Sequence, residues 1–345
     1  MVMTKYIKKA VQELAAYTPG EQPRERDIIK LNTNENAYPP SPKIAEVLRR
    51  PADALRLYPD PVCHELRNVI ANLHQCRAEQ VFVGNGSDEV LALCVRAFVE
   101  RSGSVGYHEP SYSLYPVLAA IHEVETRPVS LSADFSWSMP EGYAASLFFL
   151  ANPNAPTSIL YPKDMVRSFC KGFSGVVLID EAYVDFAREN CMDLALSMDN
   201  VLVARTLSKS YSLAGLRVGY VIGSEALIGA MYKIKDSYNV SRLSQEIALA
   251  ALLDRGHMER NVARIRDTRD RVANELRGLG FGVAPSETNF LWVKPPPGRT
   301  AQQVFEDLRK RKILARYFPG PRTGEYLRIT VATEGEMRAL VDALR

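Results

Sequence analysis

The sequence predicts an α/β protein: a large lobe built on a mainly parallel sheet flanked by helices, then a smaller α+β C-terminal lobe. Three observations lead there. Short apolar runs at residues 81–83, 147–150, 176–179 and 201–203 show almost no polar alternation, as strands covered on both faces do. Segments of helical spacing lie between such runs, the arrangement that a parallel sheet and its crossovers require. After about residue 243 the pattern changes to long helices followed by a few strands. A length of 345 residues suits two such lobes, and 46% apolar with 24% charged residues is an ordinary globular composition that buries a core without staples.

In chain order, residues 1–16 read as a helix, with Ile7, Val11 and Leu14 at helical spacing, broken by Tyr17-Thr-Pro-Gly20. Residues 31–61, rich in Asn and Pro, have little periodicity, and a long irregular stretch in a folded protein is more often functional than idle. A strand at 81–83 runs through Gly84-Asn-Gly86 into a helix that starts at Ser87 or Asp88 and ends near Val99. A strand at 104–107 and a helix at 112–120 follow, then the three apolar strands and a further strand at 216–222. Residues 244–279 form one or two long helices with a break at Asp254-Arg-Gly256. A strand at 290–293, a proline-rich turn, a helix at 301–310 and a strand at 326–331 complete the chain. The expected division is an N-terminal arm over 1–30, a large lobe over 31–245 and a small lobe over 246–345.

Composition removes several function classes. A net charge of +3, from 43 basic and 40 acidic residues, argues against a nucleic-acid-coating protein or a polybasic membrane protein. No apolar run approaches the roughly 20 residues of a spanning helix, and no secretory signal pattern follows the first lysines. Five cysteines, odd in number and without a CxxC pair, fit a reducing compartment, so a cytoplasmic location is expected. Five histidines form no HExxH pair, so no metal centre is expected. Among the 43 bases, 30 are arginine and 13 are lysine. Trp137 and Trp292 read as packing residues, His108 as a loop residue, and the arginines of 255–277 as a solvated helix face laced with ion pairs.

Ligands in open α/β sheets bind at the carboxyl ends of the strands, so the residues that follow each strand carry the functional reading. Gly84-Asn-Gly-Ser-Asp-Glu89 allows close backbone approach and opens a helix whose free N–H groups favour a phosphate; an ordinary glycine turn with an N-cap reads the same way. Asp180-Glu-Ala-Tyr183 places a carboxylate at the end of a buried strand, where it needs a cation such as a pyridinium nitrogen or else serves as an N-cap. Arg205-Thr-Leu-Ser-Lys209 with Arg217 sets one lysine among small hydroxyl residues, suited to Schiff-base formation or, blandly, a solvated polar loop. Together the three supply a phosphate cradle, an acid for a ring nitrogen and a lysine for an aldehyde, which is what pyridoxal 5'-phosphate requires.

The ordered motifs Asn-Thr-Asn-Glu-Asn (32–36), Tyr58-Pro-Asp-Pro, Gly-Ser-Asp-Glu (86–89), Pro-Ser-Tyr112, Asn-Pro-Asn-Ala-Pro-Thr (152–157), Asp-Glu-Ala-Tyr (180–183), Ser-Lys209 and Leu-Arg328-Ile-Thr are together similar to the histidinol-phosphate aminotransferase branch of the fold-type I pyridoxal-phosphate aminotransferases. The resemblance runs from about Tyr17 to the C-terminus. It implies that Lys209 holds the cofactor and shuttles the substrate proton, that Asp180 pairs with the ring nitrogen, and that Tyr183 meets the ring hydroxyl. Tyr112 would stack on the ring. Ser87 and Asp88 amides, with Ser208, Thr206 and Arg217, would hold the cofactor phosphate. Tyr58 would reach the phosphate of a partner subunit, which implies a homodimer. Arg328, assisted by Arg316, would bind the substrate phosphate or carboxylate, with Tyr17 and Asn34 near the substrate. The family's usual asparagine before Pro-Thr-Gly is Ala155 here, with Asn154 one residue early as the substitute ring-hydroxyl contact, and Leu57 stands where the branch often has arginine.

The implied activity is ping-pong transamination between histidinol phosphate and 2-oxoglutarate, a step of histidine biosynthesis. The alternatives are an aromatic-amino-acid aminotransferase with the same catalytic residues, a threonine-phosphate decarboxylase and, requiring the motifs to coincide by chance, a binding module without cofactor.

Overall fold

The structure is a computed structural model that describes residues 5–15, 17–25, 27–50 and 52–345. Its strands are β1 (Ile29–Lys30), β2 (Val81–Gly84), β3 (Ser104–Glu109), β4 (Glu125–Ser130), β5 (Leu147–Ala151), β6 (Val176–Asp180), β7 (Val201–Thr206), β8 (Gly219–Ile222), β9 (Gly282–Val283), β10 (Phe290–Lys294), β11 (Ile313–Leu314), β12 (Arg316–Tyr317) and β13 (Leu327–Thr330). Among the described residues they form a seven-stranded sheet in the order β2-β8-β7-β6-β5-β3-β4, a four-stranded sheet β12-β13-β10-β9, and the pair β1-β11. In the large sheet β8 alone runs against its neighbours, antiparallel to both β2 and β7, and the other pairings are parallel. The small sheet is antiparallel.

The apolar runs lack alternation because both faces of the sheet are covered. Phe148, Leu150, Val177, Ile179, Val201 and Val203 enter one buried cluster, while Leu147, Phe149, Leu178, Leu202 and Ala204 enter the other. The first cluster continues without interruption into the small sheet through Leu291, Trp292, Leu327 and Ile329. Trp292 is fully buried, stacked on Tyr326 with ring centroids 5.0 Å apart, and Trp137 is buried as well.

Several expected elements shift. Of the helix over 1–16 the described part is Lys9–Glu13, with Val11 exposed; residues 1–4 and 16 lie outside the described residues. The strand over 216–222 begins only at Gly219, because Ala214–Leu216 is a 3-10 turn and Arg217 takes a left-handed φ of 56°. The stretch 31–61 contains a short helix, Ile44–Leu48, and a 3-10 segment, Ala52–Arg56. Edge strand β4 was not foreseen: its residues are mostly exposed and carry a proline, so it has no apolar signature. The long helical region divides into Arg242–Leu252 and Arg255–Gly278, one residue before the expected break begins. Its arginines are ion-paired at Arg255–Glu259 (2.7 Å) and Arg271–Glu334 (2.6 Å), but Arg269 is buried and donates to the carbonyls of Phe186 and Thr288. His108 lies in β3 and not in a loop.

One buried ion pair ties the central strands. Glu181, just past β6, has a fully buried side chain whose Oε2 accepts from Arg205 Nε at 2.9 Å and Nη2 at 2.8 Å from β7. Burial raises the Glu181 carboxyl, and the Arg205 charge opposes that shift. Arg205→Met should therefore cost about 3–5 kcal/mol in denaturant unfolding, because it strands a buried carboxylate. The double variant Glu181→Gln/Arg205→Met should recover most of that loss. A single-variant cost below about 1 kcal/mol would show that the pair does not hold β6 to β7.

Candidate active site

Because six strands share one direction, the carboxyl ends of β2, β3, β5, β6 and β7 open on a single cavity of about 740 Å³. The opposite wall comes from β12, β13, the loop over 318–323, and two N-terminal stretches around Tyr17 and Asn34. Thirteen of the site residues expected from the sequence line it: Tyr17, Asn34, Ser87, Asp88, Tyr112, Asp180, Tyr183, Thr206, Ser208, Lys209, Arg217, Arg316 and Arg328.

Asp180 ends β6 in a buried position. Its Oδ2 accepts the Tyr115 hydroxyl at 2.8 Å, and its Oδ1 accepts the Ala182 amide at 3.1 Å. Burial pushes the carboxyl up to about 6, against the lowering effect of these two bonds. Among the described residues it has no ion pair, in contrast to the adjacent Glu181. A buried carboxylate facing a cavity without its own cation is costly, and a ligand cation would relieve it. Tyr115 was missed in the sequence; it is fully buried and stacked on Phe149 at 4.7 Å, and nothing in a tyrosine one helical turn past Tyr112 separates it from core.

The helix Ser87–Phe98 starts at the cavity wall with no side-chain cap, so its first amides remain available to an anion. Gly86 has φ +82°, and a Cβ there would lie 2.6 Å from Arg217 Nη2, so the arginine reaches the helix start only over a glycine. Arg217 Nη2 pairs with Asp88 Oδ2 at 3.2 Å, and the Tyr112 hydroxyl donates to Asp88 Oδ1 at 3.2 Å. Thr206 Oγ1 donates to Ser208 Oγ at 2.9 Å beside them. Amides, hydroxyls and a guanidinium thus converge at this end of the cavity.

Lys209 sits between that cradle and the N-terminal segment. Its Nζ donates to the Thr33 carbonyl at 3.4 Å and lies 5.6 Å from the centroid of the Tyr183 ring. Asn36 Nδ2 donates to the carbonyls of Lys209 and Ser210, 3.1 Å each, which fixes the lysine's backbone. Asn34 Nδ2 donates to the Tyr183 hydroxyl at 2.9 Å. Asn34 itself has φ 58° and is held by Thr330, whose hydroxyl accepts the Asn34 amide at 3.0 Å.

The far end of the cavity is cationic. Arg316 donates to the carbonyls of Thr18 (2.9 Å) and Pro19 (3.2 Å), and Arg328 donates to the Asn32 carbonyl at 3.0 Å. The two face one another in register across β12 and β13, and both lie 5.2 Å from the Phe318 ring centroid. Burial, with the repulsion of Arg316, lowers the Arg328 pKa, and its buried Nε has no partner among the described residues. Tyr17 packs edge-on to Tyr112 with centroids 5.8 Å apart, between the two ends. Arg322, given no role in the sequence analysis, lines the cavity too.

Two expected contacts are not on the wall. Asn154 is buried and spends its amide on the scaffold, donating to the Pro110 carbonyl (3.1 Å) and Thr157 Oγ1 (2.9 Å) while accepting from Ser111 Oγ (2.9 Å). Its hydrogen bonds turn the side chain into the loop, while Ala155 lines the cavity. Tyr58 is exposed, stacked on Tyr238 at 4.3 Å, outside the cavity of its own chain. His108 is fully buried with neither ring nitrogen partnered, and burial pushes it down to about 3. Strand alternation explains its separation: Tyr107 and Glu109 face the cavity, whereas His108 packs on Trp137 with ring centroids 4.7 Å apart. Among the described residues no group of three His, Cys, Asp or Glu side chains could hold a metal ion, and no helix is long and apolar enough to cross a membrane.

Comparison with known proteins agrees with this geometry. The family model for aminotransferase class I and II matches residues 26–344. Histidinol-phosphate aminotransferase of Chromohalobacter salexigens is 45% identical, covering 99% of both chains. The enzyme of the same name from Microcystis aeruginosa is 42% identical over 98% of this chain and 97% of its own. Among solved structures, histidinol-phosphate aminotransferase from Sinorhizobium meliloti in complex with pyridoxal-5'-phosphate superposes with a TM-score of 0.90 at 26% identity, covering 99% of this chain and 97% of that one. With a match across nearly its whole length, this chain belongs to the class I and II aminotransferases.

Proposed function

We propose that the chain is a pyridoxal-phosphate-dependent aminotransferase that exchanges the amino group between histidinol phosphate and 2-oxoglutarate, acting as a cytoplasmic homodimer in histidine biosynthesis. The observation that carries this reading is one cavity holding a buried Asp180 and Lys209 at one end and arginines at the other, with neither Asp180 nor those arginines ion-paired among the described residues. Relatives of that name at 42–45% identity over nearly the full chain support the substrate assignment.

The residues fit the cofactor. Asp180 lacks a cation that a pyridinium nitrogen would supply, and the uncapped helix start at Ser87 and Asp88 lacks an anion that a phosphate would supply. When bound, pyridoxal phosphate contributes an aldehyde that takes up amines and a ring that accepts electron density. Asp180, ionised by that ring cation, would keep the nitrogen protonated. Tyr183, already paired with Asn34, would present its hydroxyl to the ring oxygen, and Tyr112 would cover the ring face. Ser208, Thr206 and Arg217 would hold the phosphate with the Ser87 and Asp88 amides, and Arg217 would divide its donors between phosphate and Asp88.

Lys209 would hold the cofactor and, as a general base on a backbone fixed by Asn36, move the proton at the substrate α-carbon. Both substrates would place their anionic group on Arg316 and Arg328, whose planar forks accept carboxylate and phosphate alike. Tyr17 would close over the substrate, with Asn34 beneath. Asn154 would support the loop without touching the ring. Tyr58, exposed near Leu55 and Leu57, would serve the cavity of a second copy. An arm over 1–30, a cofactor-binding unit over 31–245 and a small unit over 246–345 remain the proposed division of the chain.

Holoenzyme mixed separately with histidinol phosphate, phenylalanine, tyrosine and threonine phosphate tests the reading through the cofactor absorbance and carbon dioxide release. Preferential conversion by histidinol phosphate is expected; carbon dioxide from threonine phosphate would overturn it. Lys209→Ala should lower multiple turnover at least about a hundredfold, and unchanged rates would remove the lysine from its role.

Asp180 also gives a pH prediction for the cofactor-free protein. A carboxyl held near 6 in the fold binds its proton to higher pH than the unfolded chain does, so stability falls as pH rises from about 4 to 6 and levels off above. The loss from this group is on the order of 3 kcal/mol. Cofactor-free Asp180→Asn should therefore melt higher than the wild type at pH 8, with the gap closing toward pH 4, while its pyridoxal phosphate affinity drops. A gap that does not change with pH would contradict the buried-charge account.

A further inference from the structure

Arg322 sits in the loop Phe318-Pro-Gly-Pro-Arg322, which leaves β12 and arches toward the segment after β4. The loop is closed on itself: Thr323 Oγ1 donates to the Phe318 carbonyl at 2.8 Å, and the Gly324 amide donates to the Gly320 carbonyl at 2.9 Å. A Cβ on Gly324 would lie 2.7 Å from that same carbonyl, so the closed turn has no room for a side chain there. From this turn Arg322 Nη2 donates to the carbonyls of Leu131 and Ser132, the latter at 2.7 Å. Its Nε and Nη1 have no partner among the described residues, and the side chain lines the cavity with Arg316 and Arg328.

The three arginines share one design. Each is oriented by neutral main-chain carbonyls: Thr18 and Pro19 for Arg316, Leu131 and Ser132 for Arg322, Asn32 for Arg328. Among the described residues none of them is ion-paired, although Arg217 in the same cavity is paired with Asp88. Carbonyls fix the guanidinium without cancelling its charge, so three residues of the one cavity wall keep a positive charge. A carboxylate is a monoanion with two oxygens, which two guanidiniums saturate. A phosphate monoester carries a charge of about −1.5 to −2 at neutral pH and three acceptor oxygens, and it has a use for the third.

We propose that Arg322 is a specificity-determining residue that engages the substrate phosphate and not the carboxylate of the second substrate. The proposal rests on the functional reading above. In single half-reactions followed by cofactor absorbance, Arg322→Gln should raise the half-saturating concentration of histidinol phosphate at least tenfold. The values for glutamate and for unphosphorylated histidinol should stay within twofold of wild type. Arg322→Lys keeps a donor for the Leu131 and Ser132 carbonyls, and it should show the same split at smaller amplitude if the glutamine variant does not fold. Equal losses for all three amines would make Arg322 a structural strap, and no change for histidinol phosphate would place its free donors outside the site; either overturns the proposal. A wild-type protein inert to histidinol phosphate would instead overturn the functional reading, independently of either variant.

Discussion

The site is organised around two neighbouring carboxylates that the fold treats in opposite ways. Asp180 and Glu181 leave the end of β6 side by side, and successive residues at a strand end point to opposite sides. Glu181 turns toward β7 and finds Arg205 inside the protein, so its desolvation is compensated by the chain itself. Asp180 turns toward the cavity and finds a hydroxyl and an amide but no cation. Two neutral donors lower the burial penalty without removing it, and the carboxyl stays above its ordinary range. A fold that satisfies one acid and leaves its neighbour short of a charge has kept a place for a ligand that carries it.

The two sheets contribute to one cavity only if something holds them in register, and the segment 32–36 does this with its amides. Asn32 offers its carbonyl to Arg328, Thr33 its carbonyl to Lys209, and Asn36 its side chain to the backbone of Lys209 and Ser210. Asn34 reaches Tyr183 on the large-sheet side and Thr330 on the small-sheet side, and its own carbonyl accepts Asn289 Nδ2 at 3.0 Å. The left-handed φ of Asn34 is a conformation asparagine tolerates better than most residues. Parallel pairing of β1 with β11 sets the entry of this segment beside the small sheet. A polar, aperiodic stretch thus acts as a cross-link between the lysine and the arginines, which must lie a substrate's length apart.

How much of this could be read from the sequence follows from how each residue acts. Asp180 ends β6, and Ser87 and Lys209 each follow a strand by three residues, so strand recognition and the rule that ligands meet strand ends were enough to find them. Tyr115 acts through Asp180 from inside the core, and a buried aromatic on a helix carries no mark of the one hydrogen bond that matters. Asn154 was placed by motif alignment, but the hydrogen bonds of its turn direct the amide to Pro110, Ser111 and Thr157. Arg322 depends on a loop closing back across β4, a strand that was itself invisible because its exposed face gave no apolar signal. The expected His108 loop failed for a related reason: a polar residue in a strand reads as a boundary unless the face it packs on is known.

The preference for arginine over lysine on the cavity wall has a physical basis. A lysine oriented by carbonyls would spend most of its three donors on orientation, since they radiate from one nitrogen. A guanidinium has five donors in a plane, so it can give one or two to main-chain carbonyls and present the rest to a ligand. Arg316, Arg322 and Arg328 are each held in this way. Burial first, and then the neighbouring charge of Arg316, lower the Arg328 pKa, a cost that an arriving anion would relieve. Lys209, the one lysine among the described residues of the cavity wall, would serve the opposite need in the proposed reading: a compact amine in place of a planar fork. The two kinds of base are therefore divided along the cavity: guanidiniums held by main-chain carbonyls on the small-sheet side, and a single lysine amine beside the ends of the large sheet.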